Sequence, residues 1–221
     1  MRDAVTILAK DLRLEWRTRE SVASMVVLGI LLLVVFTIAH DAPADEAPAL
    51  APPVLWATFI FTGLLGVQRG FALERENDCM AGLLSSPVDP ASIFVGKVLG
   101  NVILLTVMQA IVVPLVAVFL HVEVWPVLPA LALVLLLGSV GFAALATLFA
   151  AVASRTRARE VMLPLLLLPL LMPLLIAAVG ATRAVLAGGL AEARAALGVL
   201  AAFDAVFAVA GWLLFEYVVR D

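Results

Sequence analysis

The sequence predicts an all-α, polytopic membrane protein, and three observations point there. Of 221 residues, 64% are hydrophobic and only 14% charged, with a mean hydropathy of +1.16, well beyond the apolar share of a soluble domain. The apolar residues are gathered into runs near the ~20 residues that a helix needs to cross about 30 Å of hydrocarbon. Aromatic residues make up 7%, and the polar/apolar alternation of an outer-membrane barrel strand is missing. Six helical spans account for the chain as a single membrane domain over residues 1–221, with no soluble domain, internal repeat or low-complexity linker.

The first element is an amphipathic helix over residues 1–20. Val5, Leu8, Leu12 and Trp16 recur at helical spacing and share one narrow arc, while Arg2, Lys10, Arg13, Arg17 and Arg19 stand among acids; such a helix lies in the membrane interface. It is too long and too mixed in charge for a signal-peptide n-region, and the apolar run that follows exceeds an h-region, so no cleavage is expected. Span one runs from Ser21 to Ala39. Span two runs from Ala47 to Gln68, with Pro52 and Pro53 near its outer end, where proline can begin a helix without losing a needed donor.

The longest connection, residues 69–97, opens with charge (Glu74, Arg75, Glu76, Asn77, Asp78), passes through Met80 to Leu84 and reaches Ser85-Ser86-Pro87. Leu73, Met80 and Leu84 share a helical face, which predicts a short amphipathic helix under the membrane. Asp89-Pro90 then reads as an N-cap followed by proline at the first helical position, leading into span three.

Span three covers Val98 to Leu120, with Gln109 near its middle. Span four covers Pro126 to Ala153, where Gly138, Ser139, Gly141, Ala143 and Ala144 permit close helix approach. Span five covers Val161 to Ala181; Pro164, Pro169 and Pro173 each remove a donor from its hydrogen-bond ladder, giving a hinge or a statically bent helix. Span six covers Gly198 to Val219. Asp204, several residues inside it, is expected to face the bundle interior, a cavity or the outer interface, because a carboxylate in hydrocarbon costs ~2.5–3.5 kcal/mol on insertion scales.

Orientation follows from positive charge near span ends. Twelve of the 14 lysines and arginines fall on the side that holds both termini, the 69–97 loop and the 154–160 loop; Arg183 and Arg194 alone fall on the other. Both termini therefore face the cytoplasm. Trp56 and Trp125 near outer ends, and Tyr217 near an inner end, are expected as interfacial anchors.

Several chemistries find no support in the residues. Gly96-Lys97 is followed by Val98, and Ala91 stands where a phosphate-binding loop has its leading glycine, so nucleotide is not bound by that motif. No His-Glu-x-x-His, Gly-x-Ser-x-Gly or acidic metal cluster lies in or beside a span. Cys79 is the only cysteine, which excludes an intrachain disulfide or thiolate cluster. His40 and His121, the only histidines, sit at the outer ends of spans one and three; neutral imidazole there can ligate a haem iron, but interfacial hydration is the expected role. Nothing points to nucleic acid; the lipid bilayer is the evident partner.

The stretch from Glu76 through Gly82-Leu83-Leu84-Ser85-Ser86-Pro87 to Lys97, and the run Leu168-Pro169-Leu170-Leu171-Met172-Pro173-Leu174-Leu175-Ile176, resemble two signatures of one family, the cytochrome c maturation haem exporter protein B (CcmB) family. The likeness spans nearly the whole chain. It departs from the family pattern at Gly82-Leu83-Leu84, where Gly-x-Leu-Glu is usual, and at Asp204, where a small or hydroxyl residue is usual.

The resemblance implies a type-2 ABC exporter-like permease, itself not an enzyme, in the bacterial inner membrane. A separate cytosolic ATPase (CcmA-like) would dock on it and supply ATP hydrolysis. Leu73, Glu76, Met80, Gly82, Leu83, Leu84 and Pro87 would form the coupling helix, and residues 1–20 the elbow helix of such exporters. A haem-handling membrane protein (CcmC-like), a small membrane subunit (CcmD-like) and a periplasmic haem chaperone (CcmE-like) would complete the system, with haem as possible cargo and no cofactor bound directly. A homodimer is a further possibility. The same architecture could export a different amphiphile, a lipid or a drug; an intramembrane enzyme using Asp204, and a passive scaffold, are the readings from other classes.

Overall fold

The computed structural model describes residues 2–40, 47–76, 89–153 and 159–220. Their regular secondary structure is entirely helical: α1 (Arg2–Thr18), α2 (Glu20–His40), α3 (Ala47–Glu76), α4 (Pro90–Phe119), a 3₁₀ turn (Trp125–Val127), α5 (Leu128–Ala153), α6 (Arg159–Gly188) and α7 (Arg194–Arg220). Six helices, α2 to α7, are long and apolar enough to cross a membrane.

α3 and α5 form the centre of the bundle. α5 packs against α4, α6 and α7, and α3 against α2, α4 and α6. Small residues explain this placement, because they let helix backbones approach in lipid, where no hydrophobic difference drives helices together. Gly138, Gly141, Ala143, Ala144, Ala146, Ala150 and Ala151 are all buried on α5. α2 and α7 are the least buried spans, and their exposed Val27, Leu31, Ile38, Val206, Leu213 and Leu214 belong to faces that suit acyl chains.

The helix ends follow local chemistry. Asp89 caps α4: its Oδ1 accepts the Ala91 N–H at 3.2 Å, with Pro90 at the first helical position. α4 ends at a left-handed residue, His121 (φ 52°), and the Val122 N–H donates to the Ala117 carbonyl at 3.0 Å, the bond of a Schellman cap. Gly189 (φ 85°) ends α6 with its N–H on the Val185 carbonyl at 3.1 Å. α1 meets α2 at a single left-handed residue, Arg19 (φ 55°), whose N–H donates to the Glu15 carbonyl at 2.7 Å.

α4 starts at Pro90, as the Asp89-Pro90 cap predicts, and continues unbroken, so Lys97, counted with the 69–97 connection, is a helical residue with 7% exposure. Other details differ from the sequence expectation. α6 continues to Gly188, beyond Ala181, and carries Pro164, Pro169 and Pro173 inside one uninterrupted helix. Pro52 and Pro53 lie in the second turn of α3, not at its start. Trp56 is wholly buried rather than anchored in headgroups, whereas Trp125 and Tyr217 are exposed near span ends.

Candidate functional site

The residues that could transmit motion gather where α4 leaves the 69–97 connection, at the end of the bundle that the charge count assigns to the cytoplasm. Gly96 lets α1 lie directly on α4: a Cβ there would stand 2.9 Å from the Ala4 carbonyl oxygen and 3.1 Å from Ile7. One turn along α1, Asp11 Oδ2 accepts from Lys97 Nζ at 3.2 Å, and Asp11 Oδ1 lies 3.0 Å from Lys10 Nζ. Burial of Lys97 in this place is tolerable because a carboxylate meets its ammonium.

The same end of α4 is tied to α7. Phe94 occupies the space left by Gly211 and stacks obliquely on Phe215, with ring centroids 5.5 Å apart. Ile7, Ile93, Phe94, Ala144, Leu148, Ala151 and Phe215 form one apolar cluster, separate from the main core. α1, α4, α5 and α7 therefore meet around the first turns of α4.

Deeper in the bundle, polar side chains bridge the spans. Trp56 Nε1–H donates to Thr182 Oγ1 at 2.8 Å, and Thr182 in turn donates to the Ala178 carbonyl at 2.8 Å. The Trp56 indole also fills the gap at Gly138 and meets Phe59 edge-on at 5.0 Å. Gln109 donates to Ser139 at 3.2 Å, and Asn101 to Thr147 at 3.0 Å, so two amide–hydroxyl bonds link α4 to α5. Such bonds average about 0.6 kcal/mol each in membranes; their value is register more than strength.

Asp204 faces inward at 8% exposure and sits beside Gly141, whose missing side chain leaves room for its carboxylate. Neither carboxyl oxygen has a hydrogen-bond partner, and Ser21 Oγ and Thr58 Oγ1 are likewise unpartnered among the described residues. No group of three or more His, Cys, Asp or Glu side chains could hold a metal ion among the described residues. An apolar void of about 10 Å³ bounded by Ala51, Val113, Leu131 and Thr182 is at the limit of one water molecule and has no room for a porphyrin.

The structure places the other sequence-selected residues as follows. Leu73 and Glu76 belong to the last turns of α3, which extends helically past Gln68 toward the connection. Met80, Gly82, Leu83, Leu84 and Pro87 lie outside the described residues. Pro169 and Pro173 are exposed and Pro164 half-buried. His40 is the last residue of α2. His121 is exposed and takes the capping conformation that ends α4, a conformational reason for its position that is independent of any ligand.

Sequence reasoning missed the Asp11–Lys97 pair, the Trp56–Thr182 bond and the Asn101–Thr147 bond. Gly138 signalled close approach at that point of α5 but not what approaches, which is Trp56. No spacing rule pairs residues 86 positions apart.

The comparisons with known proteins converge on one reading. A family model described as CcmB protein matches residues 2–218. Heme exporter protein B of Pseudomonas aeruginosa is 28% identical over 182 residues, covering 82% of this chain and 81% of its own. The protein of the same description from Rhodobacter capsulatus is 28% identical over 170 residues, covering 77% and 78%, and that from Paracoccus denitrificans 29% identical over 196 residues, covering 89% and 88%. With a family model matching almost end to end, and relatives that each cover more than three quarters of it, the chain belongs to the CcmB family.

Proposed function

We propose that this chain is the membrane-spanning permease of an ABC-type complex that serves cytochrome c maturation through haem export. It is a multi-pass protein of the bacterial inner membrane. The observation that carries the reading is family membership over residues 2–218, reinforced by three relatives that are each described as heme exporter protein B. ATP is hydrolysed by a separate cytosolic subunit, in keeping with a sequence that carries no phosphate-binding loop of its own.

The coupling element is the 69–97 connection. Leu73, Met80 and Leu84, on one helical face by their spacing, with Leu83 beside them in sequence, offer apolar side chains to the ATPase, while Glu76 and its charged neighbours orient it. Gly82 and Pro87 belong to the same coupling stretch. A push on this segment reaches the first turns of α4, where Asp11–Lys97 and Phe94–Phe215 share it with α1 and α7. α5 then receives it through Gln109–Ser139 and Asn101–Thr147. Pro164, Pro169 and Pro173 weaken the ladder of α6 and make it the span best able to bend.

The cargo side involves a haem-handling membrane protein, a small membrane subunit and a periplasmic haem chaperone of the same system. The test is a pulldown from native membranes, followed by ATPase assays of the recovered complex. A cytosolic ABC ATPase recovered together with a haem protein supports the reading. ATPase stimulation by a lipid or drug, with none of the haem partners present, overturns the haem assignment.

A further inference from the structure

α1 carries three distinct faces, and the assigned functions use only one. Ala4, Ile7 and Asp11 turn toward α4. Next around the helix, at 100° per residue, come Val5 (60% exposed) and Trp16 (78% exposed). Beyond them stand Arg13 and Arg17, both exposed, with Arg19 at the left-handed turn that follows.

The acids of this segment are largely occupied within the protein. Asp11 is held by Lys97 and Lys10. Glu15 reaches across the turn, and its Oε1 accepts the Val22 N–H at 2.9 Å, capping the start of α2. Glu20 occupies the first turn of α2, where the helix dipole favours a negative charge. Arg13 and Arg17 have no salt bridge to any described residue, and Arg19 lies over the Trp16 ring at 5.8 Å. The outcome is a helix with an unneutralised guanidinium face directly beside an exposed indole and aliphatic strip.

We infer that the Arg13–Arg17–Arg19 face of α1, flanked by Trp16, binds the phosphate headgroups of anionic phospholipids in the leaflet where α1 lies. Charge complementarity selects the occupant. Guanidinium groups match phosphate geometry in a way that zwitterionic lipid, whose phosphate is accompanied by its own ammonium, satisfies less well. Polybasic interfacial segments gain from each added cation near an anionic surface, while the Val5–Trp16 strip sinks into the acyl boundary and holds the arginines at headgroup depth. Anionic lipid thereby seats α1, which is itself pinned to α4 through Asp11 and Lys97.

The test uses the full chain in phosphatidylcholine nanodiscs that contain a minor fraction of brominated phosphatidylglycerol or, separately, brominated phosphatidylcholine. Quenching attributable to Trp16 is the difference between the wild type and Trp16→Phe. At equal mole fraction the anionic lipid should quench this component about threefold more than the zwitterionic one. The preference should disappear in Arg13→Gln/Arg17→Gln/Arg19→Gln and survive, weakened, in Arg13→Lys/Arg17→Lys/Arg19→Lys, with unchanged far-UV circular dichroism establishing that the variants are folded. Equal quenching by the two lipids in the wild type overturns the proposal, as does a preference that persists in the glutamine variant. The readout requires neither ATPase nor haem partner, so its failure would leave the permease reading intact.

Discussion

Removing either member of the Asp11–Lys97 pair should have unequal consequences, because the two ends are unequally buried. Lys97 is 7% exposed and Asp11 22%. Asp11→Asn withdraws the carboxylate from an ammonium in the interior. Loss of one partner of a fully buried pair costs 3–5 kcal/mol, and the partial exposure of Asp11 reduces this to ~2 kcal/mol. Lys97→Met keeps an aliphatic stem in the same space and leaves Asp11 next to Lys10, 3.0 Å away, and partly hydrated, so it should cost below ~1 kcal/mol. The interaction holds α1 on α4, so undocking of α1 is the quantity to measure. With Cys79 replaced by serine, a cysteine at the buried Ile7 position reports undocking by its maleimide labelling rate. Asp11→Asn should raise that rate about 30-fold and Lys97→Met less than about fivefold, and the double variant should resemble Lys97→Met alone. Equal rates for the two single variants, or faster labelling in Lys97→Met, would refute the reasoning.

Further outcomes are expected at Gly138, Trp56, the two histidines and Asp204. Gly138→Leu drives a side chain into the Trp56 ring and should destabilise the detergent-solubilised protein by ~1–3 kcal/mol, seen as a lower melting temperature; Trp56→Phe, which removes the donor to Thr182, should cost about 1 kcal/mol by the same assay. His121→Gly should preserve or slightly raise the melting temperature, because glycine adopts the left-handed conformation at no steric cost, while His121→Val should destabilise the protein by ~1 kcal/mol or more and lower the melting temperature accordingly; His121→Ala and His40→Ala should both leave cytochrome maturation intact in a complementation assay, and failed maturation at normal protein levels would reinstate the histidines as ligands. Asp204→Asn keeps the shape against Gly141 without a carboxylate and should retain maturation activity, where loss of activity in a stable protein would point to a chemical role for the acid.

The topology was legible because hydropathy over ~20 residues is a strong signal in lipid, where every spanning segment must satisfy its own backbone. The α4 start was legible for a local reason: Asp89-Pro90 is a cap that works within three residues. The burial of Trp56 was not, since an aromatic residue near a span end reads as an interfacial anchor unless the glycine that receives it, on a different helix, is known in advance. The burial of Lys97 was not legible either: a lysine at the cytoplasmic start of a span reads as hydrated, yet Gly96 draws α1 onto α4 and Asp11 supplies the counter-charge. The amphipathic arc of α1 predicted an apolar face for the membrane interface, and Val5 and Trp16 are exposed, but it gave no sign of the second face, where Ala4 and Ile7 are buried against α4. Small residues counted for more than the larger ones because α4 presents a glycine to them.

The most direct measurement is recovery of the cytosolic ATPase with the full-length chain from solubilised native membranes, comparing wild type with Leu84→Glu at matched expression. If the proposed coupling face meets the ATPase, a carboxylate at Leu84 should reduce ATPase recovery by about tenfold or more while the chain itself remains in the membrane. Equal recovery by the two proteins would contradict coupling through residues 69–97.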